Sequence, residues 1–125
     1  MGGRMVRGWY SQEGWETWRW TATEFAVEFP YTGGNLVVDL HVPEAMGSAT
    51  LSVQANGVAL PDRHFSRPGD HCYLAQIPAG VATAPLLFEF QLNRVYHPGN
   101  TDERELGVVV SRVAVLPGAE DSSII

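Results

Sequence analysis

The chain has no lysine and a single cysteine, and each shortage excludes a class of chemistry. All eight basic residues are arginine, so no mechanism that needs a lysine amine is available. Cys72 has no partner for an internal disulfide. Because unpaired cysteine usually behaves as a small apolar side chain, we expect Cys72 to be buried in a strand.

Metal and cofactor motifs are also missing. A cupin-like site needs two histidines one residue apart on a strand, whereas the four histidines here are isolated: His41, His64, His71 and His97. The sequence contains no nucleophile elbow, phosphate-binding glycine loop or zincin motif. We therefore expect a protein that is not an enzyme and needs no metal or cofactor.

The charge balance argues against nucleic acid as a partner. Fourteen acidic residues against eight basic ones give a net charge of −6, which would repel a phosphate backbone. No apolar run approaches membrane-spanning length, so no membrane span is expected. The segment Met1–Arg7 is too short and polar for a signal peptide, which favours the cytoplasm.

Hydrophobic alternation predicts a β protein. No stretch keeps helical spacing for three turns, whereas apolar residues recur at every second position in several segments. They include Phe25, Val27 and Phe29; Leu36, Val38, Leu40 and Val42; Leu51, Val53 and Ala55; and Leu86, Phe88, Phe90 and Leu92. We expect one domain over residues 1–118, followed by a frayed acidic tail over 119–125.

Turn signals extend this prediction. The run Pro30 to Gly34 is typical of a turn that pairs its two flanking strands as a hairpin, and Asn56-Gly57 predicts a tight hairpin turn. Within Leu106–Leu116 the apolar residues change from even-numbered to odd-numbered positions. This change predicts a bulge near Ser111-Arg112 or burial on both faces of the strand. The predicted fold is all-β, an antiparallel two-sheet sandwich of jelly-roll kind, with a closed barrel as the alternative.

All four tryptophans lie between Gly8 and Thr21, a density that a core does not require. Trp18 and Trp20 share a strand face and are expected to be half-buried beside Phe25. Trp9, Tyr10 and Trp15 lie beside glycines and polar residues, so we expect them in an exposed loop. An indole there could stack on a sugar ring and still hydrogen-bond through its N–H.

A second polar segment runs from Asn93 to Gly107 and is unusually long for a strand connection. It contributes further candidate contacts for a ligand. The predicted ligand-binding residues are Trp9, Tyr10, Glu13, Trp15, Arg94, Tyr96 and His97.

Two motifs carry a resemblance to a known family. The first motif consists of Gly8-Trp9-Tyr10, then Glu13, then Arg19-Trp20-Thr21. The second motif is Asp102-Glu103-Arg104-Glu105-Leu106-Gly107-Val108, near the C-terminus. This pattern resembles a bacterial β-sandwich domain appended to glycosyltransferases and methyltransferases of surface-polysaccharide clusters. The run from Trp15 to Trp18 departs from it by enlarging the aromatic loop. The resemblance implies a non-catalytic accessory module similar to carbohydrate-binding modules.

Two hypotheses from different classes follow. In the first, the aromatic loop binds a glycan, and the partner is that glycan or a carbohydrate-active protein. In the second, the same loop packs on a partner protein or on a second copy of this chain as a homo-oligomer, because an exposed indole cluster suits either use. A glycan site should be a shallow groove rimmed by hydrogen-bonding groups, whereas a protein interface should be flatter and more apolar.

Overall fold

The computed structural model describes residues 3–10, 19–30, 34–79, 85–97 and 105–116, most of which lie in antiparallel strands. The strands are β1 (Arg4–Trp9), β2 (Arg19–Phe29), β3 (Asn35–Val42), β4 (Ala49–Ala55), β5 (Val58–Ala59), β6 (Arg63–Phe65), β7 (Gly69–Gln76), β8 (Leu86–Leu92) and β9 (Val109–Leu116). The predicted all-β, antiparallel fold is confirmed. Across these ranges, no helix is long and apolar enough to cross a membrane.

The strands form one continuous, curled array that folds into two facing sheets, and β2 belongs to both sheets. In the first sheet β2 lies between β1 and β8, and β4 follows β8 and carries β5 and β6. In the second sheet β9 pairs with β3, which pairs with β7. Residues Glu24–Phe29 of β2 pair with β8, whereas Arg19 and Trp20 pair with β9. The result is a jelly-roll-like sandwich.

The core lies between the two sheets and consists of the alternating apolar residues identified above. Phe25 of β2 stacks on Phe90 of β8, with ring centroids 4.8 Å apart. From the second sheet come Leu36, Val38, Leu40 and Val42 of β3 and Tyr73 of β7, all buried. Burial of these residues supplies the hydrophobic free energy that holds the two sheets together.

The predicted hairpin between the second and third strands is wrong. β2 and β3 do not pair, because β9 lies between them in the sheet order. The residues around the turn, of which 31–33 lie outside the described ranges, specify where a strand ends. They do not specify which strand takes the neighbouring place, since that depends on segments distant in sequence.

Two other local predictions are confirmed. Asn56 and Gly57 adopt φ angles of 48° and 86° and connect β4 to β5, which pair directly. In β9, Asp39 of β3 pairs with Arg112 and Leu40 pairs with Val110, so Ser111 is the extra residue of a bulge. The last strand is shorter than predicted, because it begins at Val109 and Leu106 forms only an isolated bridge with Tyr96.

Strand β1 was not predicted from the sequence, and Gly8 explains its course. Gly8 has φ +81°, and a Cβ built there would lie 2.6 Å from the Cα of Phe25 and closer still to the carbonyl oxygen of Glu24. The pairing register with β2 shifts between Met5 and Arg7 and again between Arg7 and Trp9, across Gly8. Only glycine permits both this backbone conformation and this close approach to β2.

The prediction that Cys72 is buried is wrong. Cys72 lies in β7 as expected, but its side chain alternates with the buried Tyr73 and is exposed. Partial burial of the thiol, followed by the hydrogen bond and the negative charge of Asp39, raises the pKa of Cys72 above its usual range.

We expect Cys72 to react slowly with iodoacetamide at neutral pH despite its exposure, because the thiolate is the nucleophile. Asp39→Asn removes a nearby negative charge, lowers the pKa of the thiol and should move the pH profile of alkylation to lower pH. The profile is measured by mass spectrometry, with the urea-unfolded protein as the reference. An unchanged profile in Asp39→Asn would contradict the assigned influence of the carboxylate.

Substitution of Gly8 by alanine should be far more damaging than the same substitution at Gly57. Both glycines have positive φ, but a Cβ at Gly57 meets nothing within 4 Å. We expect Gly57→Ala to cost about 1–2 kcal/mol, the strain of a left-handed alanine. Gly8→Ala should cost at least about 2 kcal/mol more, because it also clashes with β2. Urea unfolding compares the two, and equal losses would show that β1 does not depend on the close approach.

Candidate functional site

Thr21 joins the two sequence motifs inside the protein. Its side chain is fully buried, at 0% exposure. The Thr21 N–H donates to the Val108 carbonyl at 2.9 Å, and the Gly107 N–H donates to the Thr21 carbonyl at 2.6 Å. The Val108 N–H in turn donates to Thr21 Oγ1 at 3.2 Å. These hydrogen bonds bring the segment before β9 against the start of β2.

Gly107 is required at this junction for a steric reason. A Cβ at Gly107 would lie 2.5 Å from the carbonyl oxygen of Ala22 and 2.7 Å from Thr21 Oγ1. Gly8 approaches the next part of β2, at Glu24 and Phe25. The glycines of both motifs therefore allow the backbone to pack directly against β2, which is a structural role.

Three partly buried aromatic rings gather beside this junction. Trp20 stacks on Tyr96, with ring centroids 5.6 Å apart and an angle of 25° between the planes. The Tyr10 N–H donates to the Trp20 carbonyl at 3.0 Å, which places Tyr10 across the strand pair from Trp20. We call Tyr10, Trp20 and Tyr96, with the adjoining Arg19 and Glu105, the aromatic end of the sandwich.

Backbone hydrogen bonds fix the positions of these rings. Tyr96 and Leu106 exchange two backbone hydrogen bonds, at 2.6 and 2.8 Å. The Tyr10 hydroxyl donates to the Glu105 carbonyl at 3.2 Å, and Arg19 Nη1 donates to the Tyr10 carbonyl at 3.3 Å. The aromatic end thus combines fixed apolar ring surface with a hydroxyl and a guanidinium group.

Trp9 and Trp20 are placed differently from what the sequence indicated. Trp9 ends strand β1, packs edge-on against Phe25 with centroids 5.3 Å apart, and donates its indole N–H to the Ala26 carbonyl at 2.9 Å. Trp20, which was expected beside Phe25, instead stacks on Tyr96. The register shift between Arg7 and Trp9 sets Trp9 opposite the buried Thr21, whereas Trp20 has the opposite parity to Thr21 in β2.

The other predicted ligand contacts separate into distinct places. Arg94 is exposed and its Nη1 donates to the Met46 carbonyl at 3.3 Å, so it braces the loop between β3 and β4. His97 is exposed and directly follows Tyr96. Glu13 and Trp15 lie outside the described residues, as do Trp18 and the segment from Asp102 to Arg104, and their roles stay predictions.

Sequence reasoning missed Trp20 as a surface residue of the site. Its position in the alternation of β2 contained the signal, because Thr21 and Phe25 share one parity and are buried, whereas Trp20 has the opposite parity.

Regarding a metal, the described part of the chain contains no group of three or more His, Cys, Asp or Glu residues that could hold one.

Comparison with known proteins shows similarity in structure but not in sequence. No protein-family model matches the chain, and no curated protein matches it. An acetyl xylan esterase from the rumen bacterium Butyrivibrio proteoclasticus aligns with 93% of this chain at 13% identity and a TM-score of 0.52. This chain covers only 31% of the length of that esterase. At this identity the likeness shows a shared fold.

Two further solved structures align less closely. A CBM35 from Paenibacillus barcinonensis aligns with 93% of this chain at 14% identity and a TM-score of 0.42. The alignment covers 91% of the length of that CBM35. The catalytic unit of a GH87 α-1,3-glucanase from Streptomyces thermodiastaticus strain HF3-3 aligns with 86% of this chain at 17% identity and a TM-score of 0.41. The alignment covers 23% of the length of that glucanase.

The stack of Trp20 on Tyr96 should stabilise the fold measurably. A double-mutant cycle with Trp20→Ala and Tyr96→Ala should give a coupling free energy of about 0.5–1.5 kcal/mol, the range of aromatic pairs. Each single variant should lose less than a fully buried tryptophan would, because both rings are partly exposed. Urea unfolding measures the cycle. Coupling no larger than that of Trp20→Ala with the distant Leu74→Ala would contradict the stack.

Proposed function

We propose that this domain is a non-catalytic carbohydrate-binding module and that its aromatic end holds the glycan. The observation that carries the proposal is the stacked pair Trp20 and Tyr96, which is fixed in place yet only partly buried. Tyr10 lies next to the pair and adds a third partly buried ring. An apolar surface with adjoining polar groups matches the two chemical faces of a sugar.

The physical argument rests on preorganisation. Aromatic side chains bury a large area at a small cost in conformational entropy. Because Tyr96 is held by its bridge to Leu106, and Trp20 by its pairing in β2, little further ordering is needed when a ligand binds. Arg19 bonds the Tyr10 carbonyl through Nη1 and has further guanidinium N–H donors, which we assign to the hydroxyl groups of a sugar that stacks on the rings.

The resemblance noted in the sequence supports the same function. Thr21 of the first motif is hydrogen-bonded to Gly107 and Val108 of the second, so the described residues of the two motifs meet beside the aromatic end. Attachment to enzymes of surface-polysaccharide synthesis remains a proposal. Trp15 and Glu13 would extend the binding surface, since they lie in the segment between Tyr10 and Arg19.

A glycan array followed by isothermal titration calorimetry tests the proposal. Shallow, hydrated sites bind weakly, so we expect a Kd of about 10 µM to 1 mM. Trp20→Ala and Tyr96→Ala should each weaken binding at least about tenfold, equivalent to about 1.4 kcal/mol. Leu74→Ala is the control, because Leu74 is exposed on the second sheet. Circular dichroism and thermal unfolding confirm that each variant is folded.

Two results would contradict the proposal. One is the absence of binding to any glycan on an array of neutral, amino and acidic sugars. The other is glycan binding that survives in both ring variants while they remain folded. Concentration-dependent self-association that Trp20→Ala abolishes, together with no glycan binding, would favour the second hypothesis, in which the aromatic residues contact another protein.

A further inference from the structure

The outer face of the first sheet carries a cluster of polar side chains. Across β2, β8 and β4, Glu24 pairs with Gln91 and Gln91 with Ser52. In the adjacent row, Glu89 of β8 pairs with Gln54 of β4. These side chains, with Arg7 of β1, line a concavity of about 220 Å³. We call Glu24, Ser52, Gln54, Glu89 and Gln91 the polar face.

The polar face continues from the aromatic end along β2. Trp20 and Glu24 have the same parity in this strand, opposite to the buried Thr21 and Phe25. Four residues of extended strand span about 13 Å, so Trp20 and Glu24 project from the same face of β2 at about that separation. That distance exceeds the reach of one monosaccharide, and a ligand that contacts both must be a chain.

The polar face has the chemistry of a surface that binds hydroxyl groups. Amides both donate and accept hydrogen bonds, a serine hydroxyl does the same, and carboxylates accept them. Glu89 is held by Arg7, whose Nη2 lies 2.8 Å from Glu89 Oε2, while Glu24 adds a second carboxylate. Two carboxylates against one guanidinium disfavour an anionic ligand.

The outer face of the second sheet mixes apolar and polar side chains. There Leu74 is 63% exposed and Leu116 38% exposed, and Leu74 pairs with Val37 across the strands. That face also carries polar side chains, among them Asn35 opposite Gln76 and Asp39 opposite Arg112, but the polar face of the first sheet includes a residue, Glu24, that has the same parity in β2 as Trp20.

We propose that the polar face is a second part of the glycan site, so that the domain binds an internal stretch of a neutral polysaccharide lengthwise. This inference rests on the proposed function, since it extends the site at the aromatic end. The rings would hold one sugar unit by stacking, and the amides of Gln91 and Gln54 would hydrogen-bond units farther along the chain.

Chain length is the variable that tests this inference. The probes are cello-, xylo-, malto- and manno-oligosaccharides of two and six units, titrated by calorimetry. For the series that binds, the six-unit sugar should bind at least about tenfold tighter than the two-unit sugar, because each added hydrogen bond contributes about 0.5–1.5 kcal/mol.

Three variants separate the two parts of the site. Gln91→Ala and Gln54→Ala should each lower the affinity for the six-unit sugar about threefold to tenfold and leave the two-unit affinity unchanged. Gln76→Ala is the matched control, because Gln76 is an exposed glutamine on β7 of the second sheet. Trp20→Ala should weaken both sugars alike.

The outcomes are distinguishable. Equal affinity for two and six units, or Gln91→Ala and Gln54→Ala indistinguishable from Gln76→Ala, would overturn the polar-face site and leave the aromatic-end site standing. Tighter binding of oligogalacturonate of six units than of every neutral sugar would also overturn the inference. No binding of any of these probes would overturn the inference, and a negative result on the full glycan array would overturn the proposed function as well.

Discussion

The buried hydrogen bonds of Thr21 are the constraint on which the rest of the structure depends. The pairing of β2 with β8 ends at Glu24 and its pairing with β9 is confined to Arg19 and Trp20, so Thr21 lies where the strand passes from one sheet to the other. A buried hydroxyl or amide without a partner costs about 1–3 kcal/mol, so Thr21 fixes where Gly107 and Val108 lie. That segment in turn carries Leu106, which holds Tyr96 in position for Trp20. The surface rings therefore depend on a junction inside the protein.

This arrangement explains why residues far apart in sequence form one site. Tyr10 arrives from β1, Trp20 from β2, and Tyr96 from the segment after β8, and each is held by backbone hydrogen bonds. Rings held in this way offer an apolar surface that is already ordered before a ligand arrives, which favours binding of weakly interacting molecules such as sugars. On the outer face of the first sheet, Glu24 has the same parity in β2 as Trp20 and lines the polar concavity.

Much of the fold could be predicted from sequence because its determinants are local. Alternation at Phe25, Val27 and Phe29 reports which face of a strand is buried, and Asn56-Gly57 supplies the positive φ angles of a tight turn. The parity change in the last strand likewise located the bulge at Ser111. Each of these features is decided by residues within a few positions of one another.

What could not be predicted depends on contacts between distant segments. The insertion of β9 between β2 and β3 has no local sequence signal. Cys72 is exposed because its neighbour in β7, Tyr73, faces the core, and successive side chains of a strand point to opposite faces. Trp9 packs on the core because the register shift across Gly8 sets it opposite the buried Thr21, whereas Trp20 has the opposite parity in β2. Tyr96 was predicted as a site residue, but its stacking partner was visible only in the structure.

Nuclear magnetic resonance of a ¹⁵N-labelled sample, titrated with a glycan selected on the array, tests the central claim most directly. The indole N–H of Trp20 and the backbone amides of Arg19 and Tyr96 should shift with glycan concentration. The indole N–H of Trp9 should stay unchanged, since it is bonded to the Ala26 carbonyl. Shifts centred on Leu74 and the second sheet, with the Trp20 indole unaffected, would contradict binding at the aromatic end.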